Sequence, residues 1–130
     1  MILVDTSAWI EFLRDTGSPV CRRVDELLAD VVATCDPVRM EVLAGARSDS
    51  HLRDLRGLLA RSTSLEVTPA HYELAATLYR SARQQGFTVR RLNDCLIAAV
   101  AITHDVPLLH ADRDFDAVAH VSDLRVVSVQ

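Results

Sequence analysis

The sequence predicts an α/β sandwich with a mainly parallel central sheet flanked by helices. Three observations carry this expectation. Short apolar runs at Ile2–Val4, Val31–Cys35, Leu65–Val67, Val106–Leu109 and Leu124–Val129 read as strands, and longer segments with helical periodicity separate them. Residues that cap helices, Asp5-Thr6-Ser7 and Asp36-Pro37, stand directly after the first two strands. That alternation is the signature of parallel crossovers. At 130 residues the chain is long enough for one core and short for two, so residues 1–130 are expected to form a single domain.

The elements follow in order. Ile2, Leu3 and Val4 end abruptly in Asp5, and Thr6 and Ser7 lead into a helix continued by Ala8 to Leu13. Asp15 to Gly17 make a turn. Ser18 before Pro19 starts a second helix running to about Ala29. After the strand Val31–Cys35, Asp36-Pro37 opens a helix over 38–46 that carries Glu41, with Ala44 and Gly45 one turn further on the same face. A glycine inside that helix costs stability and suggests a close approach. Ser48 to Arg61 is a polar-faced helix with Leu52, Leu55, Leu58 and Leu59 as its apolar stripe, forming a hairpin with the preceding helix. Thr68-Pro69 opens a long helix through Arg83, with Leu74, Ala75, Leu78 and Ala82 inward and Gly86 as its stop. Leu92 to Thr103 is a helix apolar on every side from Cys95 to Ile102, hence buried, with Asn93 as its expected cap and Asp94 in its first turn. The strand Val106–Leu109 runs into the acidic stretch HADRDFD, and Leu124–Val129 is the last strand, interrupted by Ser128.

Composition narrows the function classes. The chain is 49% hydrophobic and 25% charged, the proportions of an ordinary globular protein, which excludes disorder. No apolar run is long enough to cross a bilayer, and no basic region precedes Ile2, so neither membrane anchor nor signal peptide is expected. A cytoplasmic location is the expectation. Cys21, Cys35 and Cys95 are odd in number, widely spaced and set among apolar residues, which suits reduced core thiols rather than disulfides or structural zinc. A net charge of −4 excludes a general nucleic-acid binder with a basic stripe, so any phosphate contact is local. All 14 basic residues are Arg, which suits bidentate phosphate contacts.

Four acids stand out. Asp5 and Asp112 follow strand ends, and Glu41 and Asp94 lie near helix starts; in a parallel sheet both kinds of position share the edge where functional crevices form. Each also has a plain structural reading: Asp5 as a helix cap, Glu41 as a solvated side chain, Asp94 as a charge on its helix dipole. If the carboxylates converge, two of them about 4 Å apart repel by roughly 4 kcal/mol at a surface-like dielectric, so a cation or a proton must neutralise the cluster. Oxygen-only ligands select Mg²⁺ or Mn²⁺. Asp112, Asp114 and Asp116 alternate like the opening of an EF-hand, but its sixth position is Ala117 where glycine is required, so that reading is rejected.

Taken together, VDTSAWIEFL, MEVLAGA, NDCLIAA and LLHADRDFD resemble the four motifs of the PIN-domain ribonucleases, in order and across nearly the whole chain. In size the chain is similar to the VapC-type toxins of toxin–antitoxin pairs. The resemblance implies a PIN-like three-layer sandwich. It implies that Asp5, Glu41, Asp94 and Asp112 form an acidic quartet binding Mg²⁺, with Mn²⁺ as a substitute, and that Thr6 or Ser7 assists. Asp114 is a candidate outer ligand, and Asp116 is assigned no role. His110 stands where the family often has a small hydroxyl residue. The implied activity is metal-dependent endoribonuclease cleavage of RNA phosphodiester bonds, leaving a 5′-phosphate and a 3′-hydroxyl. A cognate VapB-type antitoxin, presenting a basic side chain to the acids from an apolar groove, and homodimerisation through helices are implied as well.

Two alternatives come from other classes. A phospho-acceptor receiver-like signalling domain also gathers acids and Mg²⁺ at strand ends, but its phosphoryl-binding lysine is missing because the chain has no Lys. A degenerate nuclease fold that only binds a partner is the other. Trp9, Phe12, Leu13 and the stripe Leu52, Leu55 and Leu59 read as core before interface.

Overall fold

The computed structural model describes residues 1–129. Its elements run β1 (Ile2–Val4), α1 (Thr6–Leu13), α2 (Pro19–Leu27), β2 (Val32–Thr34), α3 (Asp36–Ala44) and α4 (Asp49–Leu59). Then come β3 (Thr63–Ser64), α5 (Pro69–Gln84), α6 (Leu92–Thr103), β4 (Leu108–Leu109) and α7 (Asp114–His120). The strands form one sheet in the order β3-β2-β1-β4, and every pairing is parallel. The chain moves outward from β1 through β2 to β3, then returns to the other side of β1 with β4. Strand order therefore reverses beside β1. A crevice opens at the carboxyl ends of strands at such a reversal, which places the residues after β1 and β4 on its floor.

The strands are short and their apolar side chains, apart from half-buried Ile2, are buried, as a sheet covered on both faces requires. Leu3 and Val4 of β1 and Leu108 and Leu109 of β4 have no exposed surface. In α6 every residue from Asp94 to Ala101 is buried, so the sequence's all-round apolar character marks a central helix. Trp9, Leu55 and Leu59 join the core as expected, whereas Leu13 is exposed. The three cysteines are free and buried.

Several boundaries differ from the sequence expectation. The third strand lies at Thr63–Ser64 and not at Leu65–Val67: Ala33 pairs with Thr63 and Thr34 with Ser64, and Leu65 N then takes the Thr34 carbonyl at 2.8 Å. With β2 ending there, Leu65 and Val67 contribute half-buried side chains rather than sheet. The expected last strand reduces to one bridge, Leu108 to Val126, because β4 offers only two residues to pair with. Cys35, not Asp36, is the residue before α3, and Arg91, not Asn93, precedes α6. Gly45 is the C-cap of α3 with an ordinary φ of −83°, and an added Cβ would meet only the Val42 carbonyl at 3.4 Å, so no close approach requires the glycine. The helix α7 was not anticipated; Asp114, Phe115 and Val118 form its buried face.

Candidate active site

Asp5 leaves β1 at the crevice and caps α1 through one oxygen only. Its Oδ2 accepts from Ser7 N at 2.9 Å and from Ser7 Oγ at 2.5 Å, while its buried Oδ1 has no hydrogen-bond partner. The cap and the metal-ligand reading thus use different oxygens of one carboxylate. Glu41 reaches in from α3 and is held by Thr6, whose hydroxyl donates to Oε1 at 2.9 Å. Ser7 Oγ also accepts from Ala111 N at 2.9 Å, tying the β1 end to the loop after β4. Asp94 stands in the first turn of α6, 2% exposed, with its Oδ2 free of hydrogen bonds and 3.5 Å from Arg91 Nε. One ligand oxygen from each of Asp5, Glu41 and Asp94 falls within a 4.8 Å cluster.

Electrostatics follow from that crowding. Burial pushes the Asp94 carboxyl up to about 7, and Asp5, Asp112 and Glu41 reinforce the rise against the opposing pull of Arg91. Burial likewise raises Asp5, with Glu41 adding to it, although the Ser7 hydrogen bonds work the other way. A buried carboxylate oxygen without a partner is costly unless a cation or proton satisfies it. Three converging oxygens with two such vacancies fit a hard divalent ion.

A second acidic group adjoins the first through Asp94. Asp94, Asp112 and Asp114 also bring ligand oxygens within 4.8 Å of one another. Here, however, the protein supplies its own cations. Arg90 places Nε 2.9 Å from Asp114 Oδ2 and Nη2 3.0 Å from Asp112 Oδ1, and Arg91 Nη2 lies 3.3 Å from Asp112 Oδ2. Burial alone would raise the Asp114 carboxyl, but the Arg90 hydrogen bonds and charge hold it below the usual range. Asp116 lies outside both groups and pairs with His110 Nε2 at 3.3 Å. His110 Nδ1 accepts from Asp112 N, so the histidine shapes the acidic loop rather than facing the cluster. Sequence reading missed Arg90 and Arg91; adjacent cations directly before an acid-bearing helix were the available signal.

Beside Glu41 a groove of about 460 Å³ runs between α1, α3 and α4. Ile10, Leu13, Val42 and Leu55 make it apolar, and Arg14, Arg47 and His51 supply its polar edge. Among the described residues no helix is long and apolar enough to cross a membrane.

Comparison with known proteins gives the family. The PIN domain family model matches residues 2–121. The chain is 45% identical to ribonuclease VapC11 of Mycobacterium tuberculosis over 132 aligned positions, covering 98% of each protein. Among solved structures, VapBC-1 from nontypeable Haemophilus influenzae superposes with a TM-score of 0.77 at 21% identity, covering 98% of both chains. VapBC2 from Rickettsia felis, bound to a DNA fragment from its promoter, superposes with a TM-score of 0.76 at 17% identity and the same coverage. These two share the fold. The chain belongs to the PIN-domain family and, within it, groups with the VapC ribonucleases.

Proposed function

We propose that this protein is a divalent-metal-dependent endoribonuclease, the toxin of a toxin–antitoxin pair. The observation that carries the reading is the convergence of Asp5, Glu41 and Asp94 around carboxylate oxygens that the protein leaves buried without hydrogen bonds. Asp5, Glu41 and Asp94 would hold the ion, and Asp112, the fourth acid of the quartet, stands beside Asp94 with its oxygens met by Arg90 and Arg91. The all-oxygen donor set favours Mg²⁺, with Mn²⁺ as a substitute. When bound, such an ion supplies an acidified water and offsets charge on phosphate oxygens. Thr6 orients Glu41 by bonding Oε1, which leaves Oε2 to accept a proton. Ser7 fixes Asp5 and the Ala111 backbone together, so the two strand ends keep their spacing. RNA as substrate rests on kinship with the VapC ribonucleases. Buried free thiols suit a cytoplasmic setting. The test is direct: purified protein should cleave RNA to 5′-phosphate and 3′-hydroxyl ends, stop in EDTA, and recover with Mg²⁺ or Mn²⁺. Cleavage persisting in chelator would sink the mechanism.

The partner reading is a VapB-type antitoxin seated in the groove of Ile10, Leu13, Val42 and Leu55, with a basic side chain reaching Glu41 and its neighbours. An apolar groove ending at uncompensated acids suits a segment that is apolar along its length and cationic at its tip. Changing that tip Arg to Glu should weaken inhibition; unchanged inhibition counts against an electrostatic plug. Homodimerisation finds support in exposed Tyr72 and Leu92, which flank a shallow apolar hollow with Ala76 and Leu96 between α5 and α6. Neither the receiver-domain nor the binding-only alternative has an observation in its favour.

A further inference from the structure

The acidic cleft has two halves of similar composition and opposite state. In the half of Asp5, Glu41 and Asp94, among the described residues, Arg90 and Arg91 form ion pairs with neither Asp5 nor Glu41, and Asp5 Oδ1 is buried without a hydrogen bond. In the half of Asp94, Asp112 and Asp114, guanidinium donors meet both Asp112 oxygens and one Asp114 oxygen. Backbone geometry reinforces the second arrangement: Arg90 N donates to Asp114 Oδ2 at 3.2 Å, and Asp114 N donates to Asp112 Oδ1 at 3.0 Å. The pairing is therefore built by the loop before α6 and the loop before α7 together. It does not depend on side-chain reach alone.

We propose that Arg90 and Arg91 take the place of a second metal ion, so that the cleft accepts one divalent cation, at Asp5, Glu41 and Asp94. The inference rests on the metal-dependent ribonuclease reading and deepens it. Two guanidinium groups answer the charge of Asp112 and Asp114 and fill the oxygens that another ion would need. Both arginines remain exposed on their outer side, at 63% and 56%, so their remaining N–H donors face the solvent where a substrate phosphate would arrive. Planar guanidinium suits that task because it meets phosphate oxygens in pairs. Arg90 and Arg91 are thus positioning groups for the substrate phosphate.

Mn²⁺ alone is the probe, because its stoichiometry is read by equilibrium dialysis and a coupled pair is visible by electron paramagnetic resonance. The parent should bind one Mn²⁺ per chain with an uncoupled spectrum. Arg90→Ala/Arg91→Ala should bind two and show coupling. Arg22→Ala/Arg23→Ala changes net charge equally at a distant helix and should still bind one, which separates local occupancy from general charge. Two ions in the parent would overturn the role of the arginines and leave the ribonuclease reading standing. One ion in both proteins would overturn it too. No Mn²⁺ binding to any of them would overturn both readings.

Discussion

The half of the cleft around Asp5, Glu41 and Asp94 and the half around Asp112 and Asp114 are both acidic, yet the fold treats them in opposite ways. Among the described residues the first has no arginine partner beyond the 3.5 Å contact of Arg91 with Asp94, and its Asp5 Oδ1 and Asp94 Oδ2 are buried without hydrogen bonds. The second is closed by Arg90 and Arg91. The carboxyls respond in kind: burial lifts Asp94 to about 7, while Arg90 holds Asp114 below its ordinary range despite burial. The difference teaches that clustering of acids alone does not mark a metal position. What marks it is a carboxylate oxygen that the protein has desolvated and then not satisfied.

The largest expected effect breaks the comparison at the level of activity. Asp5→Asn or Asp94→Asn should lower RNA cleavage on the order of a thousandfold or more, the scale of losing several kcal/mol of charge stabilisation at a metal site. Asn at position 5 can still cap α1, so circular dichroism should stay unchanged. Asp114→Asn should cost far less. Equal losses at Asp94 and Asp114 would mean that the two halves work as one.

A smaller effect sharpens it through pH. Binding a cation requires an ionised Asp94, so Mn²⁺ affinity should rise about tenfold per pH unit up to near pH 7 and level off above. Titration calorimetry at pH 5.5, 6.5 and 7.5 checks the slope, and a flat profile would remove Asp94 from the ligands.

The sequence carried the fold class and the expected acids because both depend on local patterns. Apolar runs ending in Asp5 and before Asp112, and the all-round apolar helix behind Asp94, report burial and chain direction, and direction at a parallel sheet fixes which edge the acids share. Short pairings were not legible: whether Thr63–Ser64 or Leu65–Val67 joins β2 is decided by where β2 stops offering carbonyls, not by side-chain character. The same holds for Leu124–Val129, whose apolar alternation matches a strand although its neighbour β4 has only two residues. In the site, local pattern alone does not show what Asp114 and Asp116 each meet. The short helix α7 turns Asp114 toward Arg90 and Asp116 toward His110, a distinction set by the roughly half-turn between positions two apart. Arg90 and Arg91 went unread for a related reason, since a cation's partners across 21 to 24 residues are tertiary facts.

The smallest effect is in stability, and it asks whether the halves differ in sign. Asp94 binds its proton more tightly folded than unfolded, so between about pH 4 and pH 7 the native state holds the extra proton and metal-free stability falls as pH rises. Asp114 runs the other way: its lowered value adds stability that is present above the unfolded value and lost as pH falls through the folded one. At pH 8 without metal, Asp94→Asn should therefore raise the melting temperature, by about 4 °C for each kcal/mol of net repulsion relieved. A favourable helix-dipole contribution of roughly 0.3–1 kcal/mol opposes that gain, and crowding by Asp5, Glu41 and Asp112 should exceed it. At pH 5 Asp94 is already protonated and the substitution should change little. Asp114→Asn at pH 8 should lower the melting temperature slightly, because Arg90 is exposed and water shares its charge. Mg²⁺ at a hundredfold excess over its dissociation constant should stabilise the parent by about 2.7 kcal/mol, Asp114→Asn nearly as much, and Asp94→Asn much less. Melts of the three proteins at pH 5 and 8, with EDTA and with Mg²⁺, decide it: if both substitutions shift the metal-free melt in the same direction, the two halves are one cluster and the arginines are ordinary surface partners.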